Sequence, residues 1–286
     1  MFWAWKLLKV TMVNFMSDKA LSHGAAIAYY TVFAIAPLLV IVIAVAGLLF
    51  GERAAQGAIA SQLSDLMGDA GARGIEALIR SASNRRAGLA ATAVGFGTLI
   101  LAASSVFIEM QSALNAIWKT KARHLSIRAF VRARAVSFGL VVTVGFLLLV
   151  SLAVSTALSA LDKYLNHFFP GAHLFFQGVN FLISFVLISL LFAAVYKVLP
   201  DKPIAWGDVL IGAVTTSFLF TVGKSLIGLY IGSSAVTRAY GAAGGLIIVL
   251  LWVYYSAQIF LLGAEFTKAY AERHGSHAPR ALQPED

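Results

Sequence analysis

Six long apolar stretches constrain this chain more than any other feature of its sequence. They lie at residues 25–50, 89–110, 135–158, 174–195, 209–231 and 244–264. A helix rises about 1.5 Å per residue, so roughly 20 apolar residues cross a hydrocarbon core of about 30 Å. Because lipid offers no partner to a backbone donor or acceptor, such stretches cross the membrane as helices. The sequence therefore predicts an all-α integral membrane protein with six transmembrane helices.

Composition supports the same conclusion. Hydrophobic residues make up 59% of the chain and charged residues 12%, against roughly 45–50% and 25% in soluble domains. A soluble domain needs a polar exterior, so lipid must surround most of this surface. The fifth stretch is the least apolar, because it contains several polar residues: Thr215, Thr216, Ser217, Thr221 and Lys224.

Basic residues predict the orientation. Most of the 22 Lys and Arg residues fall on the side that holds both termini and the loop at 118–134. Positive loops stay in the cytoplasm, so both termini are predicted to be cytoplasmic. A basic residue near anionic headgroups gains roughly 1 kcal/mol. The 118–134 loop is therefore predicted to contact the lipid surface through Lys119, Lys121, Arg123, Arg128, Arg132 and Arg134.

The segments between the spans are patterned too. Trp3, Trp5, Lys6 and Lys9 predict an interfacial helix at the N-terminus. The outer loop at 51–88 has apolar residues at helical spacing, divided by three glycines, and predicts a pair of short amphipathic helices that cap the outer face. Residues 1–272 are interpreted as one membrane domain, and residues 273–286 as a disordered tail. The glycines that divide the outer loop are Gly68, Gly71 and Gly74.

Lys224 is the most informative single residue. It lies in the fifth apolar stretch, where an ionised side chain costs roughly 2.5–3.5 kcal/mol at mid-membrane. One interpretation is a cation in a cavity that contacts an anionic substrate. The other is a lysine that extends to the outer interface or is satisfied by hydroxyl groups such as those of Thr221 and Ser225.

Other polar residues are candidates for a substrate path. Glu109 and Glu265 follow apolar runs and are predicted near the cytoplasmic interface, roughly 20 Å in depth from Lys224. They either mark one end of a polar path or are helix-end residues that pair with Lys119 or Lys268. Four further side chains would line the rest of such a path: Tyr29, Tyr30, Tyr255 and Gln258. The alternative is that these side chains pack against neighbouring helices.

Proline and glycine suggest where helices bend and approach each other. Pro37 lies in the middle of the first span and removes a backbone donor, so it is a candidate hinge. Glycines four residues apart allow close helix packing. Two such pairs are predicted to do so, Gly228 with Gly232 and Gly241 with Gly245.

The sequence also argues against several kinds of chemistry. It contains no cysteine, so thiolate chemistry and disulfides are excluded. The six histidines are scattered, and none shares a helix with a second ligand at metal-binding spacing. We therefore expect no enzyme, no metal, no cofactor and no nucleic-acid partner; homo-oligomerisation is left open.

Motifs distributed along the chain resemble one known family. They are HGAAIAYYT at 23–31 with Pro37, LNAIW at 114–118, YKVLPD at 196–201 with Trp206 and Asp208, Lys224 with Tyr230, YGAAG at 240–244, LWVY at 251–254 and GAE at 263–265. In this order they resemble the BrkB/YihY family of bacterial inner-membrane proteins, from about Lys6 to Tyr270. The resemblance implies six spans and a bacterial inner membrane, but no agreed activity.

Members of that family have been labelled ribonuclease BN or associated with serum resistance and envelope-component export. The ribonuclease label fits this chain poorly, because the metal ligands for RNA hydrolysis are missing. We expect a transporter or flippase-like exporter of an anionic lipid or envelope component, with membrane lipids as partners. The alternative is a non-transporting envelope scaffold whose outer helices bind partners.

The predicted topology can be tested with reporters of cytoplasmic location. Fusions at the N-terminus and at the C-terminus should both report the cytoplasm, because an even number of spans returns the chain to its starting side. If the fifth stretch did not cross, the two fusions would report opposite sides of the membrane.

Overall fold

The computed structural model describes residues 2–82, 104–120, 172–233 and 244–277, together with Gly139, Val150 and Val154. These residues form helices and no strand, which confirms the all-α class for the described part of the chain. Most of the second and third predicted spans, the basic loop beyond Thr120, Gly241 and the end of the tail lie outside it. The helices are α1 (Phe2–Ser17), α2 (Ala20–Phe50), α3 (Glu52–Ala82), α4 (residues 104–117), α5 (Ala172–Val198), α6 (Trp206–Ser233) and α7 (Gly244–Arg273).

Three of the described helices are long and apolar enough to cross a membrane: Phe175–Val198, Trp206–Tyr230 and Gly244–Arg273. α2 begins with a shorter apolar helix, Ala20–Ile35. The outward residues of α5 and α6 are large and apolar, whereas a helix facing water would carry polar residues there. This pattern fits a lipid environment. Examples of these outward residues are Phe181, Leu182, Phe218, Leu226 and Leu229.

The hydroxyl groups of α6 are compatible with that environment. Thr215, Thr216 and Thr221 each donate to the carbonyl oxygen four residues earlier, at 2.8, 2.7 and 2.7 Å. A hydroxyl group bonded within its own helix needs no water. The threonines that made the fifth stretch look weak are therefore no obstacle to its crossing.

α6 and α7 pack closely at three glycines. Gly212 faces Thr267, Gly263 faces Thr216, and Gly223 faces Tyr255; a Cβ on any of these glycines would overlap the facing side chain. Absence of a side chain is what lets the two helices approach. Because Gly212 is opposite Thr267 and Gly223 is opposite Tyr255, the helices are antiparallel.

The glycines predicted to mediate packing behave differently from one another. Gly245 does make a close contact, with Gly74 of α3, whereas a Cβ on Gly228 would meet no atom within 4 Å. Gly228 is therefore not a close-approach position among the described helices, and Gly232 lies near the end of α6. Spacing alone does not say which face of a helix meets a neighbour, and close packing at Gly228 stays a prediction.

α3 occupies most of the predicted outer loop and is kinked at Gly68, where φ is 76°. The kink separates two helical arms, as the sequence predicted. The arms do more than cap a surface: Met67 and Ile75 are buried in one cluster with Ala28 of α2 and Val249 of α7. α3 is thus part of the core of the bundle.

Pro37 lies in the interior of α2. The helix runs from Ala20 to Phe50, and at its end the N–H of Gly51 donates to the carbonyl oxygen of Gly47. Proline removes one backbone donor, and α2 continues past it. A hinge at Pro37 stays a prediction.

α1 packs along α7 through one face. Leu7, Thr11 and Phe15 are buried at intervals of four residues, while Trp5 and Met12 are exposed. The exposed apolar side chains fit the interfacial helix that the sequence predicts, since that helix would contact lipid on one side and protein on the other.

Two glycines of α3 give a matched test of this packing. A Cβ on Gly74 would lie 2.7 Å from the carbonyl carbon of Gly245, a backbone atom that cannot rotate away, whereas a Cβ on Gly57 would meet nothing within 4 Å. We expect Gly74→Ala to destabilise the protein by about 1–3 kcal/mol, as overpacking does. Gly57→Ala should be neutral or slightly stabilising, because alanine favours helix. Thermal unfolding in detergent measures both, and equal midpoints would contradict the described α3–α7 contact.

Candidate functional site

Asn115 of α4 and Asp201, in the connection between α5 and α6, are joined by two hydrogen bonds. The Nδ2 of Asn115 donates to Asp201 Oδ2 at 2.7 Å, and the backbone N–H of Asp201 donates to Asn115 Oδ1 at 2.9 Å. The amide group suits this place because it offers a donor and an acceptor together. The pair fixes the α5–α6 connection against the end of α4.

Two lysines hold the same connection through aromatic rings. Lys197 lies over the ring of Trp206, with Nζ 5.3 Å from the ring centroid, and also donates to the carbonyl oxygen of Ile204. Lys202 lies over Trp118, again at 5.3 Å. Attraction between a cation and an aromatic face extends to about 6 Å. Both contacts therefore stabilise the turn between α5 and α6.

The segment after α7 folds back on the start of α6. Ser276 donates to Asp208 Oδ2 through its backbone N–H at 3.1 Å and through its hydroxyl group at 2.6 Å. The next residue, His277, packs its ring 6.0 Å from that of Trp118. Asp208 lies in the first turn of α6, where a negative charge is favoured by the helix dipole.

These contacts form what we call the latch: Asn115, Trp118, Lys197, Asp201, Lys202, Trp206, Asp208, Ser276 and His277. Several motif residues that are far apart in the sequence meet there, and they mainly bond to one another. These motif residues therefore have a structural role. Their contacts bring the start of α6 and the end of α7 to one end of the bundle. We refer to this as the latch end.

His23 of α2 and Glu109 of α4 form a pair that the sequence did not predict. His23 Nδ1 lies 2.7 Å from Glu109 Oε1, and both side chains are part-buried. The imidazole donates and the carboxylate accepts. The expected partners of Glu109, Lys119 or Lys268, are replaced by His23. The only hint in the sequence was that both residues lie at the edges of apolar stretches.

Gln258 lies in α7 beside Gly24, the residue after His23. A Cβ on Gly24 would overlap the amide group of Gln258. Both amide atoms of Gln258 are buried and have no hydrogen-bond partner among the described residues. A buried amide group costs roughly 1–3 kcal/mol when it is unpaired.

Glu265 lies seven residues after Gln258, on the same face of α7 and about 10 Å away along the helix. It is 0% exposed, and neither carboxyl oxygen meets a hydrogen-bond partner among the described residues. Asp18, Lys268 and Lys119 surround it. Lys119 is also paired with Asp18. It therefore has a partner within the protein, and its contact with lipid stays a prediction.

We call Asp18, His23, Glu109, Gln258 and Glu265 the polar seam. They lie along the contact of α7 with α2 and with the turn before it, and α4 adds Glu109. Their groups include several unsatisfied oxygen and nitrogen atoms. In an apolar bundle this concentration is the outstanding chemical feature of the described residues.

Lys224 lies near the seam in depth. Its neighbour Gly223 faces Tyr255, which is one helical turn from Gln258 on α7. Glu109 pairs with His23, the neighbour of Gly24, and Gly24 in turn faces Gln258. The depth separation of Lys224 and Glu109 is therefore about 10 Å or less. Counting residues gave a larger separation because it placed Glu109 beyond the end of an apolar stretch, whereas Glu109 pairs with His23, the neighbour of Gly24.

The position of Lys224 on α6 is also informative. Residues at helical spacing from it, Ala213 and Ser217, are buried, whereas the stripe through Phe218 and Val222 is exposed. Lys224 itself is half-buried and has no hydrogen-bond or ion-pair partner among the described residues. It lies at the edge of the inward face, away from the outward stripe.

The tyrosines proposed for a path separate into two groups. Tyr29 is 58% exposed and contacts the rings of Tyr30 and Phe33. It lies on the outside of the described bundle. Tyr255 is half-buried, with its hydroxyl group against Gly223, and Tyr30 is also half-buried. Only Tyr255 lies beside Gln258 and Lys224.

Breaking the buried pair should be costly. Glu109→Ala leaves the imidazole of His23 unpaired and should lower the free energy of unfolding by roughly 1–3 kcal/mol. Ser112→Ala, an exposed position on the same helix, is the control and should change it little. Thermal unfolding in detergent tests this, and equal effects of the two variants would contradict the pairing.

Comparison with known proteins agrees with the resemblance seen in the sequence. A UPF0761 membrane protein of Alteromonas mediterranea is 31% identical over 203 residues, 68% of this chain and 65% of that protein. One of Saccharophagus degradans is 29% identical over 273 residues, 93% of this chain and 59% of that protein. This chain therefore spans about three fifths of the length of the curated relatives it matches. No solved structure matches it.

The relatives and the long apolar helices together make the chain a membrane protein. The family described as "Virulence factor BrkB" matches residues 11–286, nearly the whole chain. The chain belongs to the BrkB family.

Proposed function

We propose that this chain is a bacterial inner-membrane transport protein that moves an anionic amphiphile, a lipid or an envelope precursor, across the bilayer. In this proposal it crosses six times, and the latch end is cytoplasmic. The observation that carries the proposal is Lys224, which lies at the inward edge of α6 with no partner among the described residues.

A lysine inside a bilayer needs a reason. A charge near mid-membrane costs roughly 2.5–3.5 kcal/mol, and charged residues there usually face the protein interior or a water-filled cavity. Extension of Lys224 directly into lipid is disfavoured by the apolar stripe beside it, through Phe218 and Val222. An anionic headgroup would supply the missing partner at this position.

The polar seam supports the same function. Gln258 has two unsatisfied amide atoms one helical turn from the level of Lys224. A path for a headgroup requires polar atoms that are not already committed to one another. The proposal is that water and the headgroup reach these atoms during transport.

A scaffold without transport activity is the second candidate. Its support is that the latch residues bond mainly to one another, as expected for structure-bearing motifs. Deletion of residues 52–86 would not test it cleanly, because Met67 and Ile75 belong to the core and their loss would unfold the bundle. Flux through the purified protein distinguishes the candidates directly.

The test uses proteoliposomes with a fluorescent phosphatidylglycerol whose outer-leaflet copies are quenched by dithionite. We expect Lys224→Leu to slow translocation at least about tenfold, since a hydrogen bond to a charged group contributes roughly 1.5–3 kcal/mol and 1.4 kcal/mol is a factor of ten. Lys224→Arg should keep most of the rate. Ser225→Leu, at the exposed neighbouring position, is the matched control and should keep it too.

Two results would contradict the proposal. The first is a wild-type protein that adds nothing to the rate of empty vesicles with either anionic or zwitterionic probes, which would favour the scaffold. Alternatively, Lys224→Leu and Ser225→Leu would have equal rates, and Lys224 would then have no role in translocation.

A further inference from the structure

Two carboxyl groups meet at the latch end of the polar seam. Gly24 of α2 lies beside Gln258 of α7, so Asp18, in the turn before α2, lies at the level of Glu265 and next to it. The side chain of Asp18 is 5% exposed and that of Glu265 is fully buried. Oδ2 of Asp18 and both carboxyl oxygens of Glu265 meet no donor among the described residues.

This arrangement is incomplete as it stands. Two ionised carboxylates are acceptors only, so they repel each other and form no hydrogen bond. When one of them holds a proton, that O–H donates to the other and the repulsion becomes a short, charge-assisted bond. Two carboxyl groups that lie side by side in a protein commonly share one proton.

The neighbouring lysines favour a proton over a metal ion. Lys119, from the end of α4, pairs with the other oxygen of Asp18, and Lys268 lies next to Glu265 on α7. These ammonium groups would repel a metal ion. Because Lys119 is bonded to Oδ1 of Asp18, the oxygen that remains to meet Glu265 is Oδ2.

We propose that Asp18 and Glu265 form a proton-binding site in which one proton is held between the two carboxyl groups. The bound proton joins the α1–α2 turn to α7. Its release leaves two like charges in a buried place and weakens that junction. The site stands independently of the proposed transport, because a proton is bound or absent whatever the protein moves.

The position of the site also suggests a continuation. Gln258 lies two helical turns from Glu265 on the same face, beside Gly24, and the His23–Glu109 pair lies at the same level as Gln258. An amide group and an imidazole can both donate and accept hydrogen bonds. The shared proton therefore lies at the latch end of the polar seam, two turns from its next polar groups.

Infrared difference spectroscopy tests the site on the full chain in nanodiscs. The C=O stretching band of a buried protonated carboxylic acid should be present near neutral pH in the wild type and absent in Glu265→Gln. Asp18→Asn should also remove it, because the amide donates to an ionised Glu265 and no proton is needed. Glu272→Gln, at an exposed position two turns further along α7, is the control and should leave the band unchanged.

Folding is checked in the same samples by thermal unfolding. If Glu265→Gln does not fold, Asp18→Asn decides the question on its own. A wild-type spectrum without the band, or one in which both variants keep it, would overturn the proposal. Loss of the band when Na⁺ replaces choline would do so as well, since it would identify the pair as a metal-cation site. None of these readouts depends on lipid flux.

Discussion

Hydrocarbon is a solvent that satisfies no polar group, and the rest of this structure depends on that constraint. The described helices meet it mostly within themselves: Thr31, Ser189, Ser256 and Thr267 all donate to carbonyl oxygens four residues earlier, as the threonines of α6 do. Against this regular background the unsatisfied atoms of Gln258, Glu265 and Asp18 stand out. They lie along the contact of α7 with α2 and with the turn before α2, which is why this contact is the candidate functional site.

The latch and the polar seam divide the motif residues between them. Latch residues such as Asn115 and Asp201 are hydrogen-bonded to each other and fix the connections at one end of the bundle. Seam residues such as Gln258 and Glu265 lie on α7, and the latch holds the C-terminal end of this helix. Their side-chain polar atoms have no hydrogen-bond partner among the described residues. A rigid end beside an unsatisfied interior is the arrangement that a site for passing ligands or protons requires.

Much of the fold was accessible from the sequence, because length and apolar content decide whether a helix can cross a membrane. The helices α2, α5, α6 and α7 contain or overlap predicted spans, and the break at Gly68 fell at one of three predicted glycines. The pairings were not accessible. His23 and Glu109 are 86 residues apart, and no local pattern encodes which helices become neighbours. For the same reason the burial of Ile75 and the open surroundings of Gly228 emerged only from the packing.

The central claim is that water reaches the polar seam during transport, while the outward face of α6 lies in lipid. Because the chain has no cysteine, single cysteines at Gln258 and at Phe218 can be compared without a background. A membrane-impermeant thiol reagent attacks the thiolate, which forms in water and is suppressed in hydrocarbon. The account predicts that Gln258→Cys reacts and Phe218→Cys does not; equal inertness of the two would contradict it.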